Sequence, residues 1–198
     1  MARYLGPRHK QSRREGVNLT GKASESLERR LDVPPGGHKR GRRQSDYALR
    51  LRAKQRAKRE YGLLERGFRR LFNEALGLPG ITGHNLLILL ERRLDNVVYR
   101  LGLARTRPMA RQLVTHGHVL VNNERITIPS YQVRVGDTVS VRERARQIPV
   151  VQEEMASGRP IPSWLERGDF TGRVIELPRR EDIDPDIRED MIVEFYSR

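Results

Sequence analysis

Apolar residues recur at helical spacing in several stretches of the chain. In "LLERGFRRLFNEALG", Leu64, Phe68, Leu71, Phe72 and Ala75 line one face, and Gly77 to Gly80 ends the helix. In "NLLILLERRLDNVVYRLG", Leu86, Leu87, Leu90, Leu94, Val97, Val98 and Leu101 form one continuous face. That spacing predicts a single core helix, capped by Thr82 or Asn85, with Arg92, Arg93, Asn96 and Arg100 as its basic back. In "TRPMARQLVTHG", Thr106 is a good N-cap and Pro108 sits in the first turn, where its missing N–H costs nothing. Met109, Ala110, Leu113 and Val114 take one side of this helix; Arg107, Arg111, Gln112, Thr115 and His116 take the other. Gly117 is placed to close it in the left-handed conformation.

The period then changes. "HVLV" and "ERITI" read as strands joined by a two-residue turn at Asn122-Asn123, since Asn tolerates positive φ better than other non-glycine residues. After a loop containing Tyr131 and Val133, "VGDTVSVRE" reads as a turn at Gly136-Asp137 followed by a strand. The last fifty or so residues, with "IPSWLERGDF", "TGRVIEL" and "MIVEFYS", suggest a helix, an apolar anchor at Trp164 and two strands.

The N-terminal quarter lacks either period. Residues 1–44 are rich in Gly, Pro and basic side chains, carry too few apolar residues to fold alone, and read as an arm without structure of its own until RNA orders it. Ser45 and Asp46 then start a helix, "DYALRLRAKQRAKREYG". Its Arg50, Arg52, Lys54, Arg56, Lys58 and Arg59 fall on nearly every side with no acid between them, so it has little apolar face to bury and suits an RNA surround. Together these elements predict an α+β protein: a basic N-terminal arm (1–44), a helical domain (45–90) completed by a C-terminal segment (146–198), and a module of two packed helices with a β-hairpin or small sheet (91–145).

Charge narrows the function. The chain has 198 residues and 36% hydrophobic content, with 39 Lys+Arg against 25 Asp+Glu, net +14. Residues 1–145 carry 31 cations against 13 anions, whereas residues 146–198 carry 8 against 12. A polyanion therefore belongs on the first three quarters, and the acidic remainder suits packing and protein contact. No basic segment also carries the wide apolar face of an interfacial helix, which favours nucleic acid over membrane. The excess of arginine favours bidentate phosphate contacts. No apolar run reaches eighteen residues and no leader-like segment opens the chain, so a cytoplasmic protein is expected. Cysteine is absent, which excludes disulfides and thiol chemistry, and His9, His38, His84, His116 and His118 lack metal-ligand spacing. Neither a metal nor a cofactor is expected. Arg107 and Arg111 sit on a short capped helix fused to a hairpin, and rigid cations at fixed spacing can read the shape of a folded RNA backbone.

The stretch "TGHNLLILLERRLDNVVYRLGLARTRPMARQLVTHGHVLVNN" resembles the S-four family of bacterial small-subunit ribosomal proteins. The opening "MARYLGPRHKQSRREG", the block "SDYALRLRAKQRAKREYGLLERGFR" and the ending "MIVEFYSR" resemble the same family in the same order, so the resemblance covers nearly the whole chain. It implies a primary binder of 16S ribosomal RNA that nucleates subunit assembly and supports decoding accuracy. It also implies a place where messenger RNA enters the subunit, beside ribosomal proteins S-three and S-five. On this chain the RNA-binding residues would be Arg3, Arg8, Lys10, Arg13 and Arg14 of the arm; Arg50, Lys54, Arg56, Lys58 and Arg59; Arg69 and Arg70; Arg92 and Arg93; and Arg107, Arg111, Gln112 and His116 of the shared module. Arg40, Arg42 and Arg43 would lie nearest the messenger. Some relatives hold zinc with four cysteines in the arm, and this chain has the zinc-free form. Lys39 stands where the family pattern has glycine, as does Asn123 at the hairpin.

Two other readings use the same module. RNA-modifying enzymes such as pseudouridine synthases couple it to a catalytic "RLD", which Arg93-Leu94-Asp95 spells. Here, however, the tripeptide precedes the module, and no room remains for a catalytic domain. A heat-shock RNA-binding factor would need neither the arm nor the acidic tail. No P-loop, GxGxxG, HExxH or GxSxG occurs.

Overall fold

A computed structural model describes residues 4–21, 24–36 and 44–197. In chain order the helices and strands are α1 (Arg8–Glu15), α2 (Glu25–Glu28), α3 (Asp46–Glu60), α4 (Glu65–Leu76), α5 (Thr82–Glu91), α6 (Leu94–Arg100), α7 (Arg107–Thr115), β1 (Val119–Val121), β2 (Glu124–Arg125), β3 (Thr138–Val141), α8 (Glu143–Arg146), α9 (Pro149–Ala156), β4 (Leu165–Gly168), β5 (Thr171–Val174) and α10 (Glu189–Tyr196). The fold is α+β, with one antiparallel five-stranded sheet. The chain divides into two compact units, Met1–Leu86 with Pro185–Arg198, and Leu87–Asp184.

In the first unit, α3 packs against the C-terminal helix α10. Phe68, Leu71, Phe72 and Ala75 of α4 are buried, while Leu64 ends up in the N-cap position and 39% exposed. Tyr196 stacks on Phe72 with ring centroids 4.5 Å apart, and Lys54 Nζ lies 4.4 Å from the Phe195 ring centroid. "MIVEFYS" is therefore helical, and its aromatics clasp α3 and α4. Neither Thr82 nor Asn85, the two N-caps the sequence offers, takes that place: α5 begins at Thr82 and Asn85 lies within it. The Asn85 side chain donates instead to the Leu78 and Pro79 carbonyls of the loop between α4 and α5. Within the described residues the arm is also not structureless. Gly16 takes φ +71° at the end of α1, and Glu15 is buried between Arg52 and Arg59. Leu27 of α2 is 1% exposed. Burial pushes the Glu15 carboxyl up despite the pull of those two guanidinium groups.

The second unit builds its core from Leu94, Val97, Val98 and Leu101 of α6, Ala110, Leu113 and Val114 of α7, the inward residues of the sheet, and Trp164. The strand order is β2-β1-β3-β5-β4. Asn122 and Asn123 turn the β1–β2 hairpin at φ 50° and 67°, so asparagine serves where the family pattern has glycine. The return strand is shorter than "ERITI": only Glu124 and Arg125 pair. Residues 146–184 cluster here rather than with the helical unit, because β5 pairs with β3 and closes its open edge.

The expected single core helix is two. The backbone of Arg93 is extended (φ −63°, ψ 134°) and bridges to Gln132. Carbonyls from the following loop replace the helical acceptors, with Leu94 N–H donating to Tyr131 O at 2.9 Å and Asp95 N–H to Pro129 O at 3.2 Å, while Val133 N–H donates to Arg92 O at 3.0 Å. The apolar spacing survives because all seven residues of the predicted face are buried on either side of the break.

A candidate nucleic-acid interface

Helix α7 forms as its sequence dictates. Thr106 Oγ1 accepts from Met109 N–H at 3.3 Å, Pro108 occupies the first turn, and Gly117 follows at φ +72°. Arg107, Arg111, Gln112, Thr115 and His116 lie on the side away from the core; Gln112 and His116 are exposed, and the arginines are half-buried. The half-burial has a cause in α6. Arg111 Nη1 donates to Asp95 Oδ2 at 3.0 Å, and Arg107 Nε donates to Asn96 Oδ1 at 2.9 Å. The Arg107 guanidinium also sits 4.7 Å from the Tyr99 ring centroid, and that of Arg159 sits 4.9 Å from the same ring.

The basic back expected behind α6 is therefore an interior ion-pair network. Arg93 is 3% exposed and holds Asp95 with two bonds of 3.0 and 2.8 Å. Glu91 is fully buried and takes a bidentate pair from Arg100 at 2.9 and 2.8 Å. Arg92 Nε donates to Val133 O at 2.8 Å. Sequence could not show this, because the break at Arg93 turns three polar side chains inward that a continuous helix would point out. The Asp95 of the "RLD" tripeptide lies between two guanidinium groups, which leaves its carboxylate engaged in structure.

Beyond α7, the structure gathers cations that sequence reasoning missed. His118, just before β1, is surrounded by His116, Arg125, Arg142 and Arg144, and burial followed by these positive neighbours holds its imidazole below the usual range. Arg125, Arg142 and Arg144 are exposed, and among the described residues they make no ion pair. The only sequence signal was the run "VRERAR" after β3, where charges alternate and no periodic stripe marks a face. Arg125 lies over Gly117, where a Cβ would overlap its guanidinium.

In the first unit the predicted residues divide. Arg8, Lys10 and Arg14 of α1 are exposed, as are Arg69 and Arg70 of α4. Arg13 turns back instead, its Nε donating to Val33 O at 2.8 Å. Lys10, Arg14 and Arg59 line an open groove of about 300 Å³ with Tyr4, Gln11 and Pro35. The α3 cations, which the sequence left without acids, meet carboxylates from elsewhere in the chain: Arg50 with Glu194 (2.5 Å), Arg56 with Asp186 (2.8 Å), and Lys54 and Lys58 with Glu65 (2.8 and 2.9 Å). The helix is thus an intramolecular ion-pair ladder, with its positive charge partly offset from within. Arg3, Arg40, Arg42 and Arg43 lie outside the described residues.

The family described as "Ribosomal protein S4/S9 N-terminal domain" matches residues 3–91, and the "S4 domain" matches residues 92–139. A protein from Roseiflexus castenholzii named small ribosomal subunit protein uS4 is 53% identical over 207 aligned residues, covering all of both chains. Proteins of the same name from Desulforamulus reducens and Rubrobacter xylanophilus are 52% and 48% identical, again over the full length of both. With matches that run the length of the chain, and with α7 and its hairpin inside the matched RNA-binding module, this chain belongs to the S-four family of bacterial ribosomal proteins.

Proposed function

We propose that the chain is a non-catalytic constituent of the small ribosomal subunit, binding 16S ribosomal RNA early enough to nucleate assembly. Its module, 91–145, carries the shape-reading contact through Arg107, Arg111, Gln112 and His116. The arm, 1–44, and the exposed arginines of α4 add phosphate contacts, and the arm's Arg40, Arg42 and Arg43 line the route by which messenger RNA enters. Ribosomal proteins S-three and S-five are the neighbours, and decoding accuracy is the property this position supports. The observation that carries the reading is the pairing of two arginines, Arg107 and Arg111, held one helical turn apart on α7, with the uncompensated cations Arg125, Arg142 and Arg144 around His118. Fixed cations select a backbone geometry, and uncompensated ones supply affinity by releasing counterions.

Chemical footprinting of the purified protein on naked 16S ribosomal RNA tests it. Protection confined to one compact RNA region, lost in Arg107→Ala/Arg111→Ala, is the expected result. Diffuse protection along the whole RNA, unchanged by that variant, would overturn it. Retention on small subunits through a high-salt wash separates a constituent from a transient heat-shock factor.

A further inference from the structure

Consecutive residues of α6 each hold one arginine of α7: Asp95 holds Arg111, and Asn96 holds Arg107. Both acceptors are fixed from behind. Arg93 grips the Asp95 carboxylate through two nitrogens. The Asn96 amide donates to Glu91 O at 3.0 Å and Glu91 Oε2 at 2.8 Å, and with Nδ2 committed to those acceptors, Oδ1 faces Arg107. Glu91, in turn, is locked by Arg100. Asp95 and Asn96 are 5% and 2% exposed, too buried to form a surface for RNA themselves.

We infer that Asp95 and Asn96 are positioning residues for RNA binding, which preset the Arg111 and Arg107 guanidinium groups before RNA arrives. The inference rests on the reading of α7 as an RNA-binding face. Its physical content is entropic: a free arginine side chain must be ordered when it meets phosphate, whereas one already held by a buried acceptor has lost most of that freedom. A guanidinium can make this bond and still bind phosphate, because it has five N–H donors and the Asn96 bond takes the single one on Nε. Helical spacing alone reads Asp95 and Asn96 as residues on the polar back of the helix, since the inward turn depends on the break at Arg93.

The decisive variant is Asn96→Ala, which changes no charge, so a long-range electrostatic effect cannot account for its result. Binding to 16S ribosomal RNA is measured by filter retention across a salt series, well below the variant's unfolding temperature, with the active fraction fixed by stoichiometric titration. Affinity is expected to fall about three- to tenfold. The slope of log K against log salt should stay as in the wild type, because the phosphate contact is still made and only the cost of ordering Arg107 rises. In an Arg107→Ala background Asn96→Ala should cost nothing further. A merely structural defect would lower the active fraction and would cost as much without Arg107 as with it.

Asp95→Asn supplies an independent arm, because the two explanations predict opposite signs. Removing a negative charge beside the interface tightens RNA binding if only the field matters, and weakens it if Asp95 positions Arg111. Equal losses with and without Arg107, or tighter binding by Asp95→Asn, would each overturn the inference while leaving the α7 interface intact. If Arg107→Ala and Arg111→Ala themselves left binding unchanged, the interface would fall first and the positioning role with it.

Discussion

Arg111 meets Asp95 across the α6–α7 packing, Nη1 to Oδ2 at 3.0 Å, and Asp95 is held at the same time by Arg93. Spacing alone puts Arg107 and Arg111 on the side of α7 away from Met109, Ala110, Leu113 and Val114, where a side chain contributes little to stability. The pairing corrects this. Arg111→Ala removes a charge-assisted bond whose partner keeps a second arginine, so it should cost about 1 to 2 kcal/mol. Arg93→Ala strips Asp95 of its bidentate partner in the interior and should cost about 3 to 5 kcal/mol. Thermal melts of the two variants would settle the order; a midpoint unmoved by Arg111→Ala would mean that the pair does not persist in solution.

Gly172 predicts where the second unit ends. A Cβ there would overlap the Leu101 methyl groups and lie 3.0 Å from the Glu166 carbonyl oxygen, so β5 lies directly against the residue that caps the C-terminal end of α6. Gly172→Ala should destabilise the unit by about 1 to 3 kcal/mol through overpacking. The same contact means that residues 91–145 alone would leave β3 as an open edge and the core without Trp164 and Val174. A fragment of residues 87–184 should therefore unfold cooperatively in urea, whereas 91–145 should show no transition. A cooperative transition in the shorter piece would move the boundary back to the sequence-based one.

What the sequence made visible was local. The Thr106 cap, the Gly117 stop and the Asn122-Asn123 turn depend on a few adjacent residues, and each stands in the structure as its chemistry requires. The apolar face from Leu86 to Leu101 also holds, since burial follows spacing even across a broken helix. The break itself was hidden, because it is made by carbonyls of Pro129 and Tyr131, more than thirty residues downstream. Partners for the α3 cations were hidden for the same reason: Asp186 and Glu194 are over a hundred residues away in sequence. Thus the cationic residues were legible as types, but which of them stay uncompensated depends on tertiary pairing. Arg125, Arg142 and Arg144 emerged only once three separate elements had met around His118.

Glu65 joins α4 to both α3 and α10, accepting from Lys54, Lys58 and Tyr196. Burial pushes its carboxyl up, but those hydrogen bonds outweigh burial and hold it at about 2. A depressed carboxyl contributes stability above its unfolded pKa and loses it as pH falls through the folded value. The stability difference between the wild type and Glu65→Gln should thus be present at neutral pH and fade as pH falls from about 4.5 to about 2. Its size should be modest, about 1 kcal/mol, because water screens a carboxylate that is 46% exposed. Tyr196 responds from the other side, its hydroxyl raised by burial and by the Glu65 bond. Urea titrations across that acid range would check the window; a difference that stays constant with pH would show that Glu65 contributes packing rather than charge.

His118 supplies the pH signature of RNA binding itself. Burial, then His116, Arg142, Arg144 and Arg125, lower its pKa in the free protein below the usual 6.5, so the imidazole is mainly neutral at neutral pH. RNA phosphate brought to that cluster would offset the positive neighbours and favour the imidazolium, raising the pKa in the complex. Binding should then take up protons: affinity rises as pH falls through the bound-state pKa and levels off below the free-state value. Each unit by which the two values differ is worth up to tenfold in affinity. The informative comparison is His118→Gln against the wild type over about pH 5.5 to 8 at fixed salt. The variant should retain only the shallower part of the profile. If both profiles have the same slope, phosphate does not reach the cluster around His118, and the interface ends at α7.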